Sequence, residues 1–292
     1  MSKSEKVVYD LSKLNGLNFR IKNDLVIKKM LLLKGNLSTN AFIFKYKLEV
    51  SENRLNNWIN KKYGIPLDFC INLFGSKILK FFKVSTFYSG NSSSYCQAIL
   101  PFSPSIHLMY LIGAIIGDGS LSHPKNGSYL IRFEMVDTQI LSMIQKIMKY
   151  VFSLEKNVLE VNRSDGRKSY VLKYSNKIVY YFLYLFFDLK PRKTKTVSIK
   201  FLETLNKSEK LALLLGLYHT DGSIVNEKIR FYTSSENLKE DLMKLLFQIG
   251  YEPHTYTYKR NLYDPEYHIS VSQPKRLILD LERLESLIKK PI

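Results

Sequence analysis

The sequence predicts an α+β protein: two pseudo-symmetric αββαββα repeats whose strands form a β-saddle, preceded by a small, mainly helical domain. Three observations predict it. An apolar, helix-like run rich in small residues stops at Asp-Gly twice, as LIGAIIGDGS (111–120) and LLGLYHTDGS (214–223). Behind each run the same succession of strand and helix periods returns. Upstream of both, the first hundred residues carry a separate helical pattern.

Composition limits the function. The 292 residues hold 44 Lys and Arg against 26 Asp and Glu, a formal charge of +18. Residues 1–100 have a net charge of +10 and the remainder +8, so the basic field belongs to the whole surface and favours a polyanion. Twenty Tyr and seventeen Phe exclude a disordered chain. Two cysteines, Cys70 and Cys96, are too few for a disulfide framework or a thiolate zinc cluster. The start, MSKSEKVVYDLSK, lacks the apolar core of a signal peptide. The longest apolar run, 106–117, is far short of the ~20 residues that span a bilayer. A monomer inside the cell is expected, in cytoplasm or organellar matrix, neither secreted nor on a membrane.

Four segments follow in order. Residues 1–88 form the helical domain, and the polar stretch YSGNSSSYCQ marks a linker over 89–102. The first repeat, 103–205, opens with Ser103 as N-cap and Pro104 at the first helical position. Its helix runs to Gly117, followed by a hairpin (120–123 and 128–136), the helix TQILSMIQKIMKYVF, a hairpin over 157–174, and the helix NKIVYYFLYLFF. The second repeat, 206–292, opens at Asn206 with Glu209 three residues on, the spacing of a capping box. Helix, hairpin (223–234), helix, hairpin (254–272) and helix then repeat.

The small residues explain why a buried helix presents a carboxylate at its end. Gly113 and Gly117 share one helix face, as do Gly216 and Thr220, and small residues at that spacing let two backbones approach closely. Paired helices place Asp118 and Asp221 side by side. Two adjacent carboxylates at two helix C-termini repel one another unless a cation lies between them. A hard divalent ion, Mg²⁺ or Mn²⁺, takes such oxygen ligands and completes its shell with water and phosphate.

LIGAIIGDG and LLGLYHTDG resemble the paired LAGLIDADG motifs of single-chain homing endonucleases, and the resemblance covers residues 103–292. It implies that the motif helices form the interface and that Asp118 and Asp221 hold catalytic metal, with the Gly117 and Thr220 carbonyls as matching backbone ligands. His219 stands where the family name has its first Asp, as a metal ligand or as interface packing. LKPRKTKTVSIKFL (189–202) resembles the segment joining the repeats in that family. Its Lys193 and Lys195 either polarise the attacking water or contact phosphate. Glu134 and Asp137 stand near enough in sequence to tune the site, and Ser235 takes the place of Asp137 in the second repeat.

Strand alternation nominates the residues that read DNA. They are Arg132 and Glu134 in SYLIRFEM, Glu160, Asn162 and Arg163 in NVLEVNRS, Lys228 and Arg230 in the second repeat, and Thr257 and Lys259 in TYTYKR. Because the repeats differ, the target should be long and not a perfect palindrome. Within 48–75, LEVSENRLNNWINKKYGIPLDFCINLFG resembles the helix-turn-helix of phage-repressor-like domains. Val50-Ser51 would be the turn and 52–61 the recognition helix, with Asn53, Arg54, Asn56, Asn57 and Lys61 facing DNA. The expected function is metal-dependent hydrolysis of both strands of a specific double-stranded DNA. An intron RNA maturase and a DNA-binding regulator with an inactive core are the alternatives.

Overall fold

The computed structural model describes residues 9–75, 85–90, 96–123, 129–163, 166–191, 196–225, 228–259 and 265–290. The chain divides into two units: residues 8–103 with 177–181, and 104–176 with 182–292.

The first unit combines helices with a sheet. Strands β1 (Arg20–Lys22), β2 (Ile65–Pro66), β3 (Thr86–Ser89) and β4 (Cys96–Ile99) form an antiparallel sheet in the order β2-β1-β3-β4. The domain is mainly helical as expected, but the sheet corrects the reading of 89–102 as a linker. YSGNSSSYCQ begins and ends in paired strands, with Ser89 opposite Cys96 and Tyr88 opposite Gln97. Phe87 and Ala98 from that pair are buried. The helices are α1 (Asp24–Lys34), α2 (Thr39–Lys45), α3 (Glu52–Ile59) and α4 (Leu67–Phe74). α3 buries Leu55 and Trp58, as a helix with one apolar stripe must. It ends two residues earlier than expected. Asn60 is the C-cap, and Lys61 adopts a left-handed φ of 58° and pairs with Asp24 at 2.8 Å, off the helix.

The second unit holds both repeats except for 177–181, the start of the last helix of the first repeat, which groups with the first unit. The first consists of α5 (Ile106–Ile116), β5 (Ser120–Ser122), β6 (Leu130–Met135), α6 (Thr138–Phe152), β7 (Leu159–Asn162), β8 (Lys168–Ser175) and α7 (Lys177–Phe187). The second consists of α8 (Lys207–Asp221), β9 (Gly222–Val225), β10 (Lys228–Thr233), α9 (Glu236–Gln248), β11 (Pro253–Tyr258), β12 (Glu266–Val271) and α10 (Pro274–Ile288). Each repeat forms its own antiparallel sheet, β5-β6-β8-β7 and β9-β10-β12-β11, the same order twice.

Caps set the helix starts. Asn206 accepts from Glu209 N, and the Glu209 carboxylate accepts from Asn206 N, each at 3.0 Å, which completes the expected capping box. In the first repeat the cap is Ser105, accepting from Leu108 N at 3.2 Å, and not Ser103. Two residues are lost because Ser105 has the extended backbone a cap requires, so Pro104 lies outside the helix. α5 has no charged residue, and every side chain from Leu108 to Ile116 is buried. Each fully buried Leu or Ile there contributes about 1.5–3 kcal/mol. No helix among the described residues is long and apolar enough to cross a membrane.

Candidate metal and nucleic-acid site

The site is built where α5 and α8 cross. A Cβ on Gly113 would collide with the Leu213 carbonyl and lie 3.0 Å from Leu217 N. One on Gly216 would collide with the Tyr110 carbonyl and lie 2.7 Å from Ala114 N. The two backbones are therefore in direct contact, and the interface holds because both positions are glycine. One turn on, a Cβ on Gly117 would strike the Thr220 side chain and lie 3.3 Å from Asp221 Oδ2. The Asp221 carboxylate thus stands against the residue preceding Asp118. The two motif ends are neighbours.

They are not identical ends. α5 stops at Gly117, its C-cap, which leaves Asp118 in the following turn and exposed. Measured from the motif aspartate, α8 continues two residues further, so Asp221 is its last helical residue and only partly exposed. The Thr220 hydroxyl donates to Gly216 O (3.0 Å) and Leu217 O (3.1 Å), which ties it to its own helix. What Thr220 can offer a ligand is its carbonyl.

The donors suit a hard divalent cation. Two carboxylates stand where two helix C-termini add partial negative charge. Among the described residues no three Asp, Glu, His or Cys side chains converge. An all-protein cage is not built, and Mg²⁺ or Mn²⁺, which keep waters and take phosphate oxygens, fit better than an ion needing many protein ligands.

His219 faces the interface. Its Nδ1 pairs with the Tyr110 hydroxyl at 3.0 Å, and Nε2 lies 3.7 Å from Glu285. Burial pushes the imidazole below its usual range, against the opposing pull of Glu285. These are the surroundings of an interface residue. Asp137 caps α6, accepting from Gln139 N (2.8 Å) and Ile140 N (3.1 Å). Ser235 does the same for α9 and donates to Val197 O at 2.8 Å. Lys193 and Lys195 lie outside the described residues.

Strand register sorts the proposed DNA contacts. Ile131, Phe133 and Met135 are buried, which leaves Arg132 and Glu134 on the opposite face, as alternation predicts. There Glu134 accepts from Arg132, from Ser169 Oγ at 2.9 Å and from Arg163 at 3.3 Å. The Ser169 hydrogen bond, then the two guanidinium groups, hold its carboxyl below the usual range. Lys173 stands opposite Arg132, exposed on the same face. No motif marks it, although the alternation of β8 would have found it. Lys228 and Arg230 flank buried Ile229 and share the solvent face of the second sheet.

Three nominated residues are on the wrong face. Glu160 pairs with Tyr170, which pairs with buried Met135, and Asn162 follows the same side. Glu160 is bound to Lys168 at 2.8 Å, away from the Arg132 cluster. Thr257 pairs with buried Tyr267, on the helix side. Lys259 falls one residue past the end of β11. The cause is common to both strands: β7 and β11 are edges, exposed on both faces, so polarity no longer indicates the side. The solvent face of β11 carries Tyr256 and Tyr258 instead. With Tyr232 they surround His268, ring centroids 4.8–6.3 Å from its imidazole, and His268 pairs with Glu266 at 2.7 Å.

Comparison with known proteins places both repeats. Residues 208–290 match the family model described as LAGLIDADG-like domain, and residues 108–185 match the WhiA LAGLIDADG-like domain. An uncharacterised protein of Methanocaldococcus jannaschii, MJ0314, is 24% identical over 176 residues, 56% of this chain and 62% of that one. The match thus spans less than two thirds of that relative. Homing endonuclease I-DmoI of Desulfurococcus mucosus is 28% identical over 149 residues, 48% of this chain and 69% of its own. Among solved structures, an I-DmoI variant aligns with a TM-score of 0.48 at 17% identity, over 60% of this chain and 94% of that one. The N-terminal LAGLIDADG domain of DUF199/WhiA aligns at 0.41 and 15% identity, over 61% and 81%.

Proposed function

Since this chain is a single-chain LAGLIDADG protein with two motifs, we propose that it is a metal-dependent endonuclease acting on a long, asymmetric site in double-stranded DNA. One observation supports the reading: the α5–α8 backbone contact brings the Asp221 carboxylate against Gly117, the residue before Asp118. I-DmoI is named a homing endonuclease, and one of its structures is a complex with DNA and Mn.

Asp118 and Asp221, with the Gly117 and Thr220 carbonyls, would hold Mg²⁺ or Mn²⁺ facing the scissile phosphates. Bound there, the metal supplies Lewis-acid stabilisation of the phosphate and a water of lowered pKa. The chain's own residues do the rest. The crossed helices fix the two carboxylates relative to each other, and Lys193 or Lys195 polarises the water or contacts phosphate. The sheet faces hold the duplex. Arg132 and Arg163 in the first repeat, and Lys228 and Arg230 in the second, meet bases or backbone in the groove.

Arg132 is oriented by Glu134, so it reaches a base edge with its guanidinium already aligned. Arg132→Ala should therefore relax preference at one base pair, losing about 1–3 kcal/mol of discrimination there. Competition binding with duplexes substituted one pair at a time measures it. Loss spread evenly over all positions would make Arg132 a phosphate contact.

Titration against salt tests the partner. With roughly ten phosphate contacts, log affinity for the target duplex should fall with log salt at a slope near about −9. Tighter binding to folded intron RNA than to any duplex would overturn the DNA reading in favour of a maturase. A second reading, duplex binding without cleavage, is favoured by the unequal ends of α5 and α8.

A further inference from the structure

The helix expected to enter a duplex groove borders a hollow. Asn53, Arg54 and Asn57 of α3 line a cavity of about 860 Å³ within the first unit. Arg20 of β1, Lys47 and Tyr63 form other parts of its wall. A helix that reads the major groove must project from its domain so that its side chains reach base edges. Side chains around a concavity receive a group; they do not insert into one.

The wall has three kinds of chemistry. Arg20, Lys47 and Arg54 are exposed cations that make no ion pair among the described residues, against a single lining carboxylate, Glu49. Tyr63 is 58% exposed, a large ring left in water at the rim. Asn53, Asn57 and Asn72 bring carboxamides, each both donor and acceptor. Trp58, packed on Phe69 at 4.8 Å, closes the apolar side. The volume lies within the range of about 300–1,000 Å³ usual for small-ligand sites.

Cations for a phosphate, an exposed ring for a base face and carboxamides for a base edge are together what an unpaired nucleotide requires. We propose that this cavity binds one or two unpaired nucleotides of a single-stranded nucleic acid. The phosphate is held by Arg20, Lys47 and Arg54, and the base stacks on Tyr63. An acidic peptide would use the cations and leave the ring and the carboxamides idle. A paired duplex cannot present a base face to Tyr63 at all. The proposal does not rest on nuclease activity, and its readout is not cleavage.

Trp58 is the only tryptophan in the chain and lines the cavity, so its emission reports on this site. The full chain is titrated with a short single-stranded oligonucleotide, as DNA and as RNA, with the duplex of the same sequence, and with polyglutamate. The expected result is a saturable change in emission with either single strand and a much weaker one with duplex and polyglutamate. Tyr63→Ala and Arg54→Ala, both exposed and outside the core, should each weaken strand binding by about 5- to 100-fold, while Tyr63→Phe retains it. Circular dichroism checks that the variants fold. Equal responses to duplex or polyglutamate, no response to either strand, or wild-type affinity in both alanine variants would each overturn the assignment.

Discussion

Asp118→Asn and Asp221→Asn are each expected to lower double-strand cleavage by a factor on the order of 10³ or more, with duplex affinity nearly unchanged. Each change removes a charged ligand and keeps the side-chain volume. Neither residue lies on the sheet faces that carry the reading side chains, so binding and chemistry should separate. Cleavage of supercoiled plasmid, followed alongside gel-shift binding, measures both. The unequal ends sharpen the expectation. Asp118 sits in a turn after α5, whereas Asp221 closes α8, and the two variants should differ in how much single-strand nicking survives. Full cleavage by either variant in Mg²⁺ would remove that aspartate from the site.

Gly216→Leu is expected to cost about 3 kcal/mol or more, the upper end of core overpacking, because what it meets is backbone and not a side chain that can turn away. Its Cβ alone collides with the Tyr110 carbonyl, and Ala114 N stands 2.7 Å off. For a unit of this size the melting temperature should fall by roughly 6–12 °C. Activity should fall further than stability, because separating α5 from α8 also separates the two aspartates. An unchanged melting temperature would mean that the motif helices do not touch through their backbones.

Much of this arrangement was legible in the sequence, for reasons that differ by element. The capping box at Asn206 and Glu209 is local chemistry, complete within four residues. The helix crossing was legible because small residues four apart have few other uses in an apolar helix, and Gly113 and Gly216 both proved to be contact points. The strand faces were legible only where one side is buried. In β6 the buried Ile131, Phe133 and Met135 fix the side of Arg132 and Glu134. In β7 and β11 nothing is buried, so Glu160, Asn162 and Thr257 were assigned on polarity, and the register placed them opposite. The supposed linker misled for a related reason. Its polar residues belong to a strand pair whose further pairing partner, β1, is distant in sequence, and among the described residues the apolar markers of its buried side are Phe87 and Ala98. His219 was open between ligand and packing because its partners, Tyr110 and Glu285, come from two other helices.

The central claim is that two motif ends, one from each repeat, make one site that breaks both strands of a duplex in the presence of divalent metal. The most direct measurement incubates the full chain with a library of duplexes in Mg²⁺, in Mn²⁺ and in excess chelator, and sequences both strands at every new end. The account predicts paired breaks at a single asymmetric sequence, present with either metal and absent with chelator. Tight, sequence-specific binding that leaves both strands intact at every metal concentration would contradict it.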